Sequence, residues 1–234
     1  MLPKLNIFGL SISTYYLMMF LGFVLMLVLM LVHRKRYGIG TPKAILFTVF
    51  VMFSGVLGCK VLYILENLKD TFENGVSLGG FSFFGAVFLV SVLMIGFGKL
   101  LKMPVKTSLD ASAICVCAMI GTIRVGCFFN GCCGGLMTRW GFRWPTQAIE
   151  SICDFMLLFF LLQFAKQPEF KGALYPILMT VYSAYRFLIE FLRDTPRTAL
   201  GLANGHFFAL GGMIVGTVWL LILHKRKKTN AALS

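Results

Sequence analysis

Two short runs in this chain combine residue types that do chemistry. The first, from Gly121 to Gly135 (GTIRVGCFFNGCCGG), sets Arg124 beside Cys127, Cys132 and Cys133 among five glycines. The second, YRFLIEFLRD at 185 to 194, spaces Arg186, Glu190 and Arg193 by four and three residues. One helix face then carries all three, with Tyr182 a turn before Arg186. A guanidinium donates paired hydrogen bonds that match a phosphate, and a carboxylate four residues on orders it. A thiol close to a fixed positive charge is primed for nucleophilic or redox work. The pattern therefore points to a cationic seat for an anionic group with sulfur chemistry beside it. The same spacing also suits an intrahelical ion pair at the end of a span, and the same glycines suit either tight turns around a ligand or close helix packing.

The elements that must hold these residues are set by composition. Hydrophobic residues make up 58% of the 234, charged residues only 13%, and mean hydropathy is +0.84. Such a chain cannot clothe a water-soluble globule. Stretches long enough for a hydrocarbon core of about 30 Å fall near 9 to 32, 44 to 65, 79 to 101, 107 to 126, 147 to 165, 172 to 192 and 205 to 224. The expectation is an all-α integral membrane protein of about seven transmembrane helices, forming a single transmembrane domain over 1–234. The first stretch runs into His33, Arg34, Lys35 and Arg36 and lacks a small-residue cleavage pattern, so it reads as a retained helix rather than a signal peptide.

Basic residues set the orientation. Arg34, Lys35, Arg36, Lys43, Lys99, Lys102, Lys106, Lys166, Lys171 and the run from Lys225 to Lys228 place thirteen of the 22 on one set of loops. The positive-inside rule makes those loops cytoplasmic, with the N-terminus outside and the C-terminus cytoplasmic. The net charge of +13 then marks a membrane face and a preference for anionic membrane lipids, with no nucleic acid implied. Basic residues on the other side need a different reason, and Lys60, Arg124 and Arg186 fall within or at the edges of spans, where an ionisable group implies function.

Cys59, Cys115, Cys117 and Cys153 lie in or near apolar stretches and read as packing residues. Cys127, Cys132 and Cys133 cluster on the outer side, where a disulfide, a reactive thiolate near Arg124, or a metal site each has a physical basis. The metal reading lacks a fourth ligand and regular spacing, so neither metal nor cofactor is expected. Of the three histidines, only His206 begins a span on the outer side; it is either structural or a general base for a thiol proton.

Taken in order, several segments resemble the prolipoprotein diacylglyceryl transferase family over nearly the whole chain. They are Tyr15 in STYYLMMFLGF, GCKVLY at 58 to 63, GGFSFFG at 79 to 85, Asp110, Arg124 with FFNG at 128 to 131, WPTQAIE at 144 to 150, and YRFLIEFLRD. The resemblance implies a multi-pass enzyme of the bacterial inner (plasma) membrane, active in lipoprotein biosynthesis at the outer face. It implies transfer of the diacylglyceryl group of phosphatidylglycerol to the lipobox cysteine of a prolipoprotein, forming a thioether and releasing glycerol phosphate. Arg124 and Arg186 would hold the phosphate and Glu190 would fix Arg186. Arg193, Gln147, Asn130 and Gly131 would line the substrate site, and Tyr15 and Lys60 would meet headgroup or glycerol hydroxyls.

This chain departs from the family pattern at Phe84, where a catalytic histidine is usual, and at Cys127 and Cys132, where an amide and a carboxylate are usual. Cys127, Cys132 and His206 are accordingly taken as catalytic candidates. Two alternatives remain: a relative of the family that uses another acceptor, and a membrane thiol-disulfide protein working through Cys127, Cys132 and Cys133. A transporter fits less well, because it calls for inverted repeats with polar groups at the midplane.

Overall fold

The computed structural model describes residues 4–7, 10–68, 71–72, 75, 83–198 and 201–233. A short antiparallel hairpin, β1 (Lys4–Ile7) and β2 (Leu10–Ser13), pairs Lys4 with Ser13 and Ile7 with Leu10. Seven α-helices follow among the described residues: α1 (Thr14–His33), α2 (Thr41–Glu66), α3 (Phe83–Leu100), α4 (Val105–Asn130), α5 (Thr146–Phe164), α6 (Leu174–Glu190) and α7 (Asn204–Leu233). A single 3-10 turn, Pro168–Phe170, precedes α6.

Each helix overlaps one of the seven apolar stretches read from the sequence. Five of them, within α1, α2, α4, α5 and α7, are long and apolar enough to cross a membrane. The protein is an all-α multi-pass membrane protein. The 17-residue α6 rises about 26 Å, close to the thickness of a hydrocarbon core, and carries three polar residues of the arginine face. Residues 79–82 of the GGFSFFG motif lie outside the described residues, and Phe84 falls in the first turn of α3.

Contacts divide the chain into two compact units, 30–112 and 1–29 with 113–234. Within the first, α2 and α3 pack side by side, with the Phe50 and Phe97 rings stacked at 3.7 Å and Phe47 stacking on Phe97 from 6.5 Å. Pro42 in the first turn of α2, after the extended Gly40, starts that helix where a missing N–H costs nothing.

The second unit holds both chemical runs. Its helices α5, α6 and α7 pack in sequence. In the run from Gly121 to Gly135, both readings of the glycines apply, at different positions. Helix α4 continues through Gly121 and Gly126 to Asn130, because inside an apolar slab a backbone satisfies its polar groups best by staying helical. These two glycines serve packing. A Cβ at Gly126 would lie 2.8 Å from Met18 Cβ on α1, and one at Gly121 would lie 3.1 Å from Asp154 Cβ on α5. The irregular segment begins at Gly131, whose φ of 74° ends the helix in the left-handed region.

Gly126→Val is therefore expected to lower stability by about 1–3 kcal/mol through overpacking against α1. Thermal unfolding of the detergent-solubilised protein checks this, and an unchanged midpoint would show that α1 is not in close contact.

Candidate active site: an arginine–carboxylate core and a thiol cluster

Helices α4, α5 and α6 each bring a charged side chain to one point. Glu150, one turn into α5 and 2% exposed, is the hub. Arg124 Nε from α4 lies 2.5 Å from its Oε2, Arg186 Nη1 from α6 lies 2.9 Å from its Oε1, and Arg193 Nη1, just past α6, lies 3.3 Å from the same oxygen. Glu190 completes the set. Its Oε2 is 2.6 Å from Arg186 Nη2 and 3.8 Å from Arg193 Nε, so the spacing read from YRFLIEFLRD does put Arg186, Glu190 and Arg193 on one face.

The start of α7 closes over Glu190. A Cβ at Gly205 would come within 2.5 Å of the Glu190 carboxylate, so only glycine lets this helix approach so closely. The positive end of the α7 dipole thereby meets a carboxylate, and the Thr195 hydroxyl donates to Glu190 Oε1 at 3.3 Å. One turn beyond Glu150, Asp154 is fully buried and accepts a hydrogen bond from the Tyr185 hydroxyl. Tyr182 stacks edge-on to Tyr185 at 5.3 Å and is buried with the arginines.

The thiols lie at the C-terminal end of α4. Cys127 is buried on the last turn, and the chain then turns at Gly131 so that the Cys132 N–H donates to the Cys127 carbonyl at 3.2 Å. Cys133 takes a φ of 61°, uncommon for a residue with a Cβ. Two side chains at the start of α5 hold this geometry: Gln147 Nε2 donates to the Cys132 carbonyl at 2.5 Å, and the Thr146 hydroxyl donates to the Cys133 carbonyl at 3.1 Å. Further along, Gly135 pairs with Trp144 and Leu136 with Leu192, tying the loop to the segment that carries Arg193. The three sulfurs lie within 4.8 Å of one another, and none of the three is in a disulfide. The exposed Cys133 thiol is lowered to about 5. Its hydrogen bond with the Cys127 thiol does most of this, and the Arg193 and Arg124 charges add to it against the opposing effect of partial burial.

A model of the family described as "Prolipoprotein diacylglyceryl transferase" matches residues 4–222. The chain belongs to that family. A phosphatidylglycerol–prolipoprotein diacylglyceryl transferase from Clostridium tetani is 30% identical, covering 90% of this chain and 93% of its own length. The second such transferase of Clostridium perfringens is 30% identical over 95% of this chain and 94% of its own. One from Clostridioides difficile is 27% identical, with 96% of each chain covered. This chain is thus a transferase.

Within the transferase, the residues singled out in the sequence fall into three groups. Arg124, Arg186, Glu190 and Arg193 converge. Cys127, Cys132, Asn130, Gly131 and Gln147 form the adjoining turn, with Gln147 turned toward the backbone of Cys132. His206 sits on the first turn of α7 beside Gly205, 1% exposed, with its ring edge-on to Phe191 at 4.3 Å and Phe187 at 5.2 Å. Its Nδ1 accepts the Ala203 N–H at 3.1 Å, which caps α7, and its Nε2 is buried with no hydrogen-bond partner among the described residues. Tyr15 opens α1, with its Cα 3.5 Å from the Cβ position of Gly126. Lys60 belongs to the 30–112 unit and holds its ammonium 5.4 Å from the Tyr63 ring centroid. Sequence reasoning passed over Glu150 and Asp154. The signal was present, since two carboxylates four residues apart interrupt the apolar stretch that became α5, and an acidic group there needs a partner as much as a basic one does.

Replacing Glu150 by Gln takes away the carboxylate that Arg124, Arg186 and Arg193 share, and leaves Glu190 to Arg186 and Arg193. The expected loss is about 3–5 kcal/mol, read as a lowered unfolding midpoint; a wild-type midpoint would mean the hub is dispensable. For Cys133, the depressed pKa keeps the thiolate present down to about pH 5. With a chelator present, its alkylation rate should be flat from pH 8 to 6, whereas an ordinary thiol slows about tenfold per unit below its pKa of about 8.5. A tenfold-per-unit fall for Cys133 above pH 6 would refute the assignment.

Proposed function

We propose that this transferase matures lipoproteins by moving the diacylglyceryl group of phosphatidylglycerol to the lipobox cysteine thiol of a prolipoprotein, releasing glycerol phosphate. The observation that carries this reading is the arginine core. Three guanidinium groups share two carboxylates, so the five ion-paired groups hold one positive charge in excess. An anion that develops at this point is met by donors already in place, so little reorganisation is needed as the bond breaks. Phosphate suits that seat, since the forked donors of arginine match its oxygens.

Arg124 and Arg186 hold the phosphate in this scheme. Arg193 lines the entrance, being the least buried of the three at 12% exposed. Glu190 and Glu150 position the guanidinium groups, and Gln147, Asn130 and Gly131 shape the adjoining turn. Tyr15 and Lys60 are assigned to headgroup or glycerol hydroxyls, and His206 follows Gly205, the residue that meets the Glu190 carboxylate. Arg124 also acts electrostatically on Cys127 and Cys133, placing sulfur chemistry next to the phosphate.

The topology consistent with this reaction has seven spans, the N-terminus outside and the C-terminus in the cytoplasm of a bacterium, within the inner membrane. The thirteen basic residues on one set of loops support it. The family match over residues 4–222 supports treating 1–234 as one catalytic domain.

Reconstituted with radiolabelled phosphatidylglycerol and a synthetic lipobox peptide, the wild type should label the peptide. Arg124→Ala and Arg186→Ala should each lower the rate about 10²–10³-fold, the range for removing a preorganised donor to a developing anion. Labelling that withstands both changes would remove the arginine core from the reaction.

A further inference from the structure

The three thiols at the end of α4 have no part in binding phosphate, yet they are arranged as a chelate. Their sulfurs lie within 4.8 Å of one another and none is bridged. A tetrahedral cation with metal–sulfur bonds of about 2.3 Å spaces its thiolates about 3.8 Å apart. A contraction of about 1 Å or less therefore closes the set on one ion. The sequence spacing of five and one residues looks wrong for ligands, but the fold corrects it. Cys127 comes from a helix, Gly131 reverses the chain, and Cys133 is held in the left-handed region with its thiol turned back toward the others. The hydrogen bonds from Cys132, Gln147 and Thr146 pin this turn, so the ligands are preorganised by a supporting shell.

We infer that Cys127, Cys132 and Cys133 form a three-thiolate site for a thiophilic divalent cation of the Zn²⁺ class, with the fourth position open to the thiol of the acceptor. Soft thiolates select such ions, and three protein ligands with one open position are the pattern of a reactive rather than a structural site. Cys127 is buried and anchors the ion, while Cys132 is half-buried and Cys133 exposed, which leaves the vacant position accessible. Charge also fits. Three thiolates and a divalent cation carry one net negative charge, which the one positive charge in excess in the arginine core offsets.

The role of the ion rests on the transferase reading. Nearby groups that could take a thiol proton already have partners: Glu150 and Glu190 the arginines, Asp154 the Tyr185 hydroxyl, and His206 Nδ1 the Ala203 N–H. Coordination removes that proton without a base, since a metal-bound thiol ionises outright. The acceptor S–H binds at the fourth position and its proton goes to water. The thiolate pair then forms the C–S bond to the glyceryl carbon, the C–O bond to phosphate breaks, and its electron pair leaves with glycerol phosphate toward the arginines. No electron is gained or lost overall, and the neutral thioether, a weak ligand, dissociates.

Cobalt substitution tests this with a readout separate from activity. Full-length protein in lipid nanodiscs, reduced and stripped by a chelator, is titrated with Co²⁺. The expected result is one Co²⁺ per chain with a thiolate-to-cobalt charge-transfer band that Zn²⁺ displaces. Cys127→Ser, Cys132→Ser and Cys133→Ser should each abolish the band while keeping the wild-type unfolding midpoint, and Cys59→Ser should retain it. A lipobox peptide should perturb the cobalt spectrum and its Cys→Ser counterpart should not, and Zn²⁺-loaded protein should label the peptide faster than stripped protein by about tenfold or more. No stoichiometric band, or a band that survives all three substitutions at the cluster, overturns the site. Full-rate labelling by stripped protein overturns the role of the ion and leaves the transferase reading standing. A peptide-responsive cobalt site with no labelling under any loading upholds the site and overturns the transferase reading.

Discussion

Glu150 is the contact on which the rest of this unit depends. Three arginines brought into an apolar interior have no stable arrangement unless a counter-charge meets them there, because the cost of desolvating an unpaired ion exceeds anything packing returns. A single carboxylate on α5 answers α4, α6 and the segment after α6 at once. The relative setting of these helices follows from that point. Glu190 shares the load, and the close seat of α7 over it requires the glycine at 205. Buried ion pairs of this kind contribute little net stability. Their persistence here is explained by what they hold in place, a cluster of forked donors with one positive charge to spare.

The thiol turn is built on the same support. Thr146 and Gln147 begin the helix whose next turn carries Glu150, so the residues that fix the carbonyls of Cys132 and Cys133 and the residue that fixes the arginines share one rigid element. A shift of α5 would disturb both together. The loop beyond the thiols pairs with the segment bearing Arg193, and the exposed Arg143–Asp194 ion pair at 2.7 Å ties the same two segments again. The arginine–carboxylate core and the thiols are thus held by neighbouring turns of common elements, an arrangement fixed before any ligand arrives.

The sequence carried the membrane class, because hydropathy over about 20 residues is a local property that no tertiary contact alters. It also carried the face of Arg186, Glu190 and Arg193, since a helical repeat fixes which side chains are neighbours. What it could not carry was the end of α4. Glycines at 121, 126 and 131 look alike in a string of letters, yet two of them pack against helices and the third turns the chain. Which role each takes depends on whether another helix lies against it. The same holds for His206, since nothing along the chain says that its ring lies against two phenylalanines with Nδ1 accepting the Ala203 N–H.

Glu150 shows the division most clearly. Its presence within an apolar stretch was legible although it drew no reading, and nothing in its neighbourhood along the chain names its partner. Arg124 lies 26 positions before it, and Arg186 and Arg193 lie 36 and 43 after it. The sequence alone determined that charge would be buried in the membrane and that arginine and thiol would be close along α4. Only the tertiary structure decided which carboxylate neutralises which arginine and that three irregularly spaced cysteines meet, because these are contacts between separate helices, set by packing rather than by local repeat.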